Sequence, residues 1–463
     1  MKRYGAVILA AGKGTRMKSN YCKVLHPVAG RPMLAYVLDA VRTLSPDRLG
    51  VVIGYQAENV RRYFDDADLN FVTQEPQLGT GHAVKQCYEL FQGFDGHILI
   101  MCGDTPLVKP ETLDGFIRYH DENSSLLSVL TTNLENPFGY GRILRDCAGN
   151  VVKVVEEKDA CDQEKAVSEI NTGIYIVQSS LLFRLLDRLR AENAQKEYYL
   201  TDVVSEAGRE GVTVYGCRTK DSCVVMGVNS RSDLAAANGI VWNRIRCQLM
   251  SEGTTLLDPS SFYGDFGIIV GPDTVIYPNV MITGNSSIGR ECVIEPGCLI
   301  NNSRIGDRVR ILLGSKLDDV EISEDVSIGP MAHLRPKAKI GKNARIGNFV
   351  EVKNSAVGDG TKAAHLTYLG DSQIGNDVNI GCGTITCNYD GKKKHRTIIE
   401  DGCFVGSDVQ FVAPVAIGAG SVIGAGSTIT RDVPPNSLAV SRSKQKTYPL
   451  RLGQGLAPKN EDR

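Results

Sequence analysis

Two groups of residues in this chain have types and spacings that suit chemistry. The first opens at residues 9–17, LAAGKGTRM, directly after an apolar run. Two alanines and two glycines let the backbone turn tightly and present its N–H groups, and Lys13 and Arg16 add positive charge. That combination suits the phosphate tail of a nucleotide, and it also suits an ordinary tight turn. It is not a dinucleotide fingerprint, because Met17 stands where the third glycine belongs, and no Gly-Lys-Ser/Thr closes a Walker loop. Downstream, Lys23 and Pro27 lie in KVLHP, Gln74 precedes the turn Leu78-Gly79-Thr80-Gly81, and Gly103-Asp104 ends another apolar run. A carboxylate at the carboxyl end of a buried strand can hold Mg²⁺ among phosphate oxygens or cap a helix. Beside a glycine loop, the metal role leads.

The second group is polar and falls late in the chain: Arg335, Lys353, His365, Tyr368, Asn379, Asn388, Tyr389 and Lys394. Imidazole titrates near neutral pH and suits a general base, although a lone histidine is more often a packing or surface residue. The basic run at 392–396, KKKHR, reads by itself as a solvated face.

What positions the second group is a repeat. Val270, Ile276, Ile282, Ile288, Ile294 and Ile300 recur every six residues; the phase slips by one to Ile305 and Ile311, then resumes at Ile322, Ile328, Leu334, Ile340, Ile346 and Val352. It closes with Ile374, Ile380, Val405, Phe411, Ile417, Ile423 and Ile429. Six fits neither a helix period near 3.6 nor a strand period of 2, but it fits a short strand plus a turn wound into a parallel β-helix. Glycines after many of the aliphatics would relieve crowded corners. The beat breaks chiefly over 383–403 and less over 353–369, and in a solenoid such breaks gather on a binding face.

What positions the first group is an α/β layout. Apolar runs at 6–9, 51–53, 98–101, 126–130, 174–177 and 224–225 alternate with helix-like stretches such as 33–43 and 82–91, predicting a mostly parallel sheet. Sites in such sheets lie at the carboxyl ends of the strands. Ser230 or Ser232 can cap a connecting helix through Leu234, Val241, Ile245 and Leu249. The expected division is therefore 1–229, a linker helix at 230–252, and a β-helix with a polar, mobile tail over 253–463, the tail from 443.

With 463 residues, 42% of them hydrophobic, the chain can build full cores, and 52 Lys+Arg against 53 Asp+Glu give no general drive towards nucleic acid or acidic membrane. Thirteen scattered cysteines without C-x-x-C pairs suit a reducing cytoplasm. No run is long enough to span a bilayer, and the N-terminal apolar run is too short for a signal peptide.

LAAGKGTRM with KVLHP, QLGTGHA, GDTPL, NPFGYGRI, EEKDA, EINTGIY and GVNSR resembles the sugar-nucleotide pyrophosphorylases. Joined to hexapeptide repeats, the chain from about residue 5 to 442 resembles the bacterial bifunctional family that is both N-acetylglucosamine-1-phosphate uridyltransferase and glucosamine-1-phosphate acetyltransferase. The resemblance implies a Rossmann-like nucleotidyltransferase domain and a left-handed parallel β-helix, with UDP-N-acetylglucosamine as a cell-wall and lipopolysaccharide precursor. It places Leu9, Ala10, Ala11, Gly12, Lys23, Gln74, Gly79, Thr80, Cys102, Gly103, Asp104, Gly141, Glu156, Asn171 and Asn229 around UTP and the sugar. It gives Mg²⁺ to Asp104 and Asn229, and charge neutralisation to Arg16 and Lys23. His365 becomes the base that deprotonates an amine attacking acetyl-coenzyme A, with Glu351 orienting the imidazole. Arg335 and Lys353 take the phosphate of glucosamine 1-phosphate, and Tyr368 and Asn379 its sugar. Cys382, Asn388, Tyr389, Ser407, Ala425 and Arg442 line acetyl-coenzyme A.

Two departures stand out. Cys102 replaces a frequent aromatic, with uridine binding expected to survive through the backbone, and Cys382 replaces the usual alanine, with sensitivity to thiol reagents expected. Family members are homotrimers, so the loop around Asn388 is expected to reach a neighbour. Two rival expectations are a β-helix that serves only as a trimerisation stalk or regulatory module, and a different sugar epimer.

Overall fold

The computed structural model describes residues 3–449. Residues 443–449 are exposed without regular structure, and the rest of the expected tail, 450–463, lies outside the described residues. The chain divides into two compact units, residues 1–245 and 246–463.

The first unit is built on one sheet. Its strands are β1 (Tyr4–Ala10), β2 (Arg48–Ile53), β3 (Asn70–Thr73), β4 (His97–Cys102), β5 (Leu127–Asn133), β6 (Arg142–Arg145), β7 (Val151–Val155), β8 (Glu169–Gln178) and β9 (Val214–Arg218), in the spatial order β9-β5-β8-β4-β1-β2-β3. Strand β1 is central, parallel to β2 with Val7 opposite Gly50, and to β4 with Val7 opposite Ile100. Its residues 6–8 are almost wholly buried because one apolar cluster packs on each face of the sheet. Strand β8 runs antiparallel between β4 and β5, and the β6–β7 hairpin branches from it, so the sheet is parallel except at this insertion.

Two local expectations change. The pair at 224–225 belongs to a 3-10 turn, Ser222–Val225, and the edge strand is instead β9, whose apolar content is too thin to stand out. The stretch at 82–91 is two short helices, Thr80–Lys85 and Tyr88–Phe91, rather than one. Helix α1 (Met33–Arg42) forms where its periodicity predicts, with Met33, Leu34, Val37, Leu38 and Val41 buried on one side. In helix α2 (Arg231–Ser251) the Ser230 hydroxyl accepts from the Asp233 N–H at 3.2 Å while Asp233 accepts from Ser230 N–H at 2.8 Å, so Ser230 rather than Ser232 is the cap.

The second unit is a parallel β-helix. Coils lay down short strands, most of which pair with a strand 17 or 18 residues on: Val275 opposite Val293, Met281 opposite Leu299, Arg304 opposite Glu321. The aliphatic ladder points inward and is nearly dry, with Ile282, Ile294, Ile311, Ile328, Leu334, Ile346 and Val352 all at or near zero exposure. The one-residue slip after Ile300 is a coil of 17 rather than 18. Glycine at the corners makes room more than it frees the backbone: a methyl at Gly347 would collide with the Ala364 carbonyl oxygen of the next coil.

The two breaks differ in kind. Across the first, Gln373 faces Ile398, 25 residues on, so the coil carries extra residues as a loop. Across the second, Arg345 faces Lys362, an ordinary coil, so 353–369 holds no insertion. There two nine-residue strands, Arg345–Lys353 and Lys362–Gly370, pair continuously around a corner, and the change of pattern comes from the polar residues they present.

Where β5, β6, β8 and β9 meet, the Glu169 carboxylate accepts from Arg145 (Nε 2.9 Å, Nη2 2.6 Å), Arg218 (2.7 Å) and Thr131 (2.6 Å). Its side chain is 8% exposed. Burial alone would push this carboxyl up, but the hydrogen bonds from Arg145, Arg218 and Thr131 outweigh it and hold it down at about 2, against an ordinary 4.5. A carboxyl depressed on folding stabilises above its unfolded value and loses that contribution as pH falls through the folded one. Glu169→Gln is therefore expected to cost about 3 kcal/mol at pH 7, and to flatten the loss of stability between pH 4.5 and 2. Urea unfolding across that range checks both.

Candidate active sites

At the carboxyl end of the first sheet lies a cavity of about 1030 Å³, lined by Leu9, Ala10, Ala11, Gly12, Lys23, Gln74, Gly79, Thr80, Cys102 and Asp104 among others. The expected residues gather because β1, β3 and β4 all end at this rim. Gln74 closes one wall, donating to the Gly79 carbonyl at 2.9 Å; Thr80 accepts from Leu200 N–H at 2.9 Å. Gly79 has φ +109 and packs on the Tyr198 backbone, where a methyl would lie 2.6 Å from its carbonyl oxygen, so only glycine fits. Gly103 N–H bonds to the Leu9 carbonyl at 2.9 Å and fixes Asp104 beside the loop. Packing and nearby Asp104 push the Cys102 thiol up to about 12, which leaves it a neutral wall residue.

Asp104 and Asn229 converge on one point, and the Lys23 ammonium is there, touching the Asp104 carboxylate and 2.7 Å from the Asn229 amide oxygen. Arg16 donates to the same amide oxygen at 2.8 Å, and Asp233 holds the Asn229 backbone N–H at 2.9 Å. One carboxylate and one amide oxygen aimed at a cation position fit a hard divalent ion that draws its remaining ligands from phosphate and water. Among the described residues no group of three or more His, Cys, Asp and Glu forms a self-sufficient metal cage.

Gly141, Glu156 and Asn171 meet on another side, off the lining of that cavity. A methyl at Gly141 would sit 3.5 Å from Glu156 Oε2 and 3.6 Å from Asn171 Cβ, so its absence shapes a cradle between the two side chains. Burial raises the Glu156 carboxyl above its ordinary value, and Thr201 donates to it at 3.3 Å.

In the β-helix, His365 lies on the strand Lys362–Gly370 with its ring exposed, not in the dry interior. Its Nδ1 is 2.8 Å from Asn348 Oδ1; an oxygen acceptor there puts the proton on Nδ1 and leaves Nε2 free as a base. Asn348 is directly across the coil boundary from His365. Glu351 does not orient this imidazole: the register sets it opposite His333 and Tyr368, and Arg335 takes its carboxylate at 2.7 Å. Lys394, from the loop, comes against Lys353, and together with Arg335 it disfavours a further positive charge and lowers the Lys353 amine. Asn388 donates to Asp371 at 2.5 Å and lies 3.5 Å from the Tyr368 hydroxyl, for which Gly370 leaves space. Asn379 is half-buried on the face that also carries Lys362. Tyr389 is 61% exposed. Cys382, Ser407 and Ala425 occupy one corner in successive coils, linked by Asp408 N–H to Cys382 O at 2.7 Å and Gly426 N–H to Ser407 O at 2.8 Å, and Arg442 donates to the Ala425 carbonyl at 2.7 Å.

Residues 6–197 match the MobA-like NTP transferase domain family, residues 267–302 the bacterial transferase hexapeptide family, and residues 316–437 the GMPPB C-terminal domain family. The bifunctional protein GlmU of Pelobacter propionicus is 53% identical over 96% of this chain and 97% of its own, and that of Listeria welshimeri 46% identical over 98% and 99%. The chain belongs to the GlmU family.

Within this GlmU-family chain, sequence reasoning passed over Asn348 and left Lys394 without a role. Asn348 had a readable signal, since it precedes His365 by one 17-residue coil. Lys394 had none, because its approach to Lys353 depends on the fold of the loop, where Asp390 accepts from the N–H groups of Lys392 (2.7 Å) and Lys393 (2.6 Å) and pairs with His395 at 2.7 Å. If the Asn348 contact sets the tautomer, Asn348→Ala should lower kcat of acetyl transfer about tenfold or more with little change in KM, a part of the roughly 10²–10⁴-fold expected for a general base. Steady-state thiol release from acetyl-coenzyme A measures the split.

Proposed function

We propose that this chain makes UDP-N-acetylglucosamine in two steps, acetylating glucosamine 1-phosphate over residues 253–463 and transferring UMP to the product over 1–229, with 230–252 as the linking helix. The observation that carries the two-site proposal over an inert stalk is the exposed His365–Asn348 pair, three residues before Tyr368 on one strand, where Tyr368 bears on Arg335 and Lys394 and Lys394 comes against Lys353. Three cations against Glu351 and Asp371 leave a positive surplus that a phosphate would neutralise.

In the acetyl step Arg335, Lys353 and Lys394 hold the phosphate, and Tyr368 and Asn379 the sugar. His365 Nε2 takes a proton from the amine as its nitrogen bonds to the thioester carbon; the C–S bond breaks and coenzyme A leaves as the thiol after reprotonation. Cys382, Asn388, Tyr389, Ser407, Ala425 and Arg442 form the wall for acetyl-coenzyme A.

In the uridylyl step a phosphate oxygen of N-acetylglucosamine 1-phosphate attacks the α-phosphorus of UTP, the bond to the bridging oxygen breaks and pyrophosphate leaves. No base is needed, because the attacking oxygen is already ionised. The loop N–H groups of 11–14, Arg16 and Lys23 align the phosphates and offset their charge. Asp104 and Asn229 would hold Mg²⁺, which supplies Lewis-acid neutralisation of the phosphates. Gly141, Glu156 and Asn171 cradle the sugar.

The assembly is a homotrimer in the cytoplasm. A column of exposed apolar residues at one corner, Leu313, Met331, Phe349 and Leu366, supports this: three of them have φ between +35 and +56, an unfavourable backbone for a bulky side chain, and a partner surface would repay both strain and exposure. Among the described residues no helix is long and apolar enough to cross a membrane.

His365→Ala should abolish thiol release from acetyl-coenzyme A with glucosamine 1-phosphate yet spare pyrophosphate release from UTP, Mg²⁺ and N-acetylglucosamine 1-phosphate, and Asp104→Ala should do the reverse. Loss of both activities in either variant sinks the two-site proposal. A shared acetyl site is tested separately: His365→Ala and Asn388→Ala chains, each inactive alone, should regain part of the activity when unfolded, mixed and refolded together, and no recovery in reassembled mixed trimers rules it out.

A further inference from the structure

One buried group beside the sugar cradle has no place in the mechanism above. Tyr175, on β8, is 1% exposed, and its hydroxyl makes no hydrogen bond of good geometry, although the Asn171 amide lies near enough to act on it as a donor. A phenol oxygen taken out of water and left unpaired is costly, and such groups in native folds call for a reason. Its polar surroundings are Glu156, Asn171, Cys102 and Asp202. The strand is built to bring them together: the register of β8 shifts between Asn171 and Tyr175, with Gly173 at φ +77 inside the shift.

We propose that the Tyr175 hydroxyl is a positioning group for the sugar end of the uridylyl site, accepting from the Asn171 amide and donating to the Glu156 carboxylate when the sugar is bound. The inference rests on the assignment of Glu156 and Asn171 to the sugar. Their free valences suit the relay. Asn171 Oδ1 is engaged by Gly173 N–H at 3.1 Å, which leaves its NH₂ to donate; Thr201 reaches only Glu156 Oε1, which leaves Oε2 on the Gly141 side to accept. Burial and the Glu156 charge raise the phenol well above its ordinary value, so it stays a donor. An orphan hydroxyl in the free protein that is paired in the complex converts part of its stability cost into sugar affinity.

Tyr175→Phe in the full-length chain removes one oxygen and keeps the ring. The expected result is a KM for N-acetylglucosamine 1-phosphate raised about five- to tenfold, with KM for UTP unchanged, a melting temperature unchanged or higher, and acetyl transfer in the same preparation intact. An unchanged sugar KM overturns the inference, whatever the melting temperature does, because the hydroxyl is then idle or served by water. A parallel rise in KM for UTP also overturns it, since that signals a general disturbance of the sheet. Glu156→Gln and Asn171→Ala separate the two levels: if they too leave the sugar KM unchanged, the sugar assignment itself fails; if they raise it and Tyr175→Phe does not, only the relay fails.

Discussion

The second unit depends on one constraint, that each coil can satisfy its backbone and bury its aliphatic residues only through the coils above and below. The N–H of Val275 goes to Cys292, that of Val293 to Val309, and that of Arg310 to Val326, and so on along the stack. Stability is then a sum of neighbour contacts, and the inside of the stack disfavours a polar group without a partner, the Thr397 hydroxyl being an exception. Function is pushed to the outer face, where the same register decides which side chains meet. Asn348 touches His365, and Glu351 lies beside Tyr368, because coils advance by a fixed count.

The first unit meets the opposite problem, since its site is made of strand ends that nothing but the sheet brings together. Strand β1 places the glycine loop, β4 places Asp104, and the antiparallel β8 carries Asn171 into the same neighbourhood. The Glu169 clamp sits two residues before Asn171 and ties β8 to side chains from β5, β6 and β9. A cluster whose work is structural thus borders one whose work is binding, and their separation is a single strand register.

The ladder was legible in the sequence because a period of six has no rival explanation and because every rung is buried for the same reason. The sheet was legible where apolar runs were long. The pair at 224–225 was too short to distinguish a strand from a turn, and β9, with Tyr215, Gly216 and Cys217, carries no alternation to read. At the sites, residue types gathered as expected around the cavity, but pairwise partners were not readable from type alone. Glu351 looked like the natural companion of a histidine; Arg335 holds it instead, and an amide fills the role. The contact between Lys353 and Lys394 is invisible without the loop, whose turn depends on the Asp390 carboxylate accepting backbone N–H groups.

The loop at 388–396 leaves the stack at one corner, and the chain returns with Gln373 still opposite Ile398 and Ile374 opposite Ile399. Neighbouring rungs therefore do not sense how many residues were spent outside. Closing a somewhat longer excursion costs little, because the entropy of closure grows only with the logarithm of its length. The tip can therefore change in length without renegotiating the architecture that carries it, and what limits it is the chemistry of Asn388, Tyr389 and Lys394 rather than the stack.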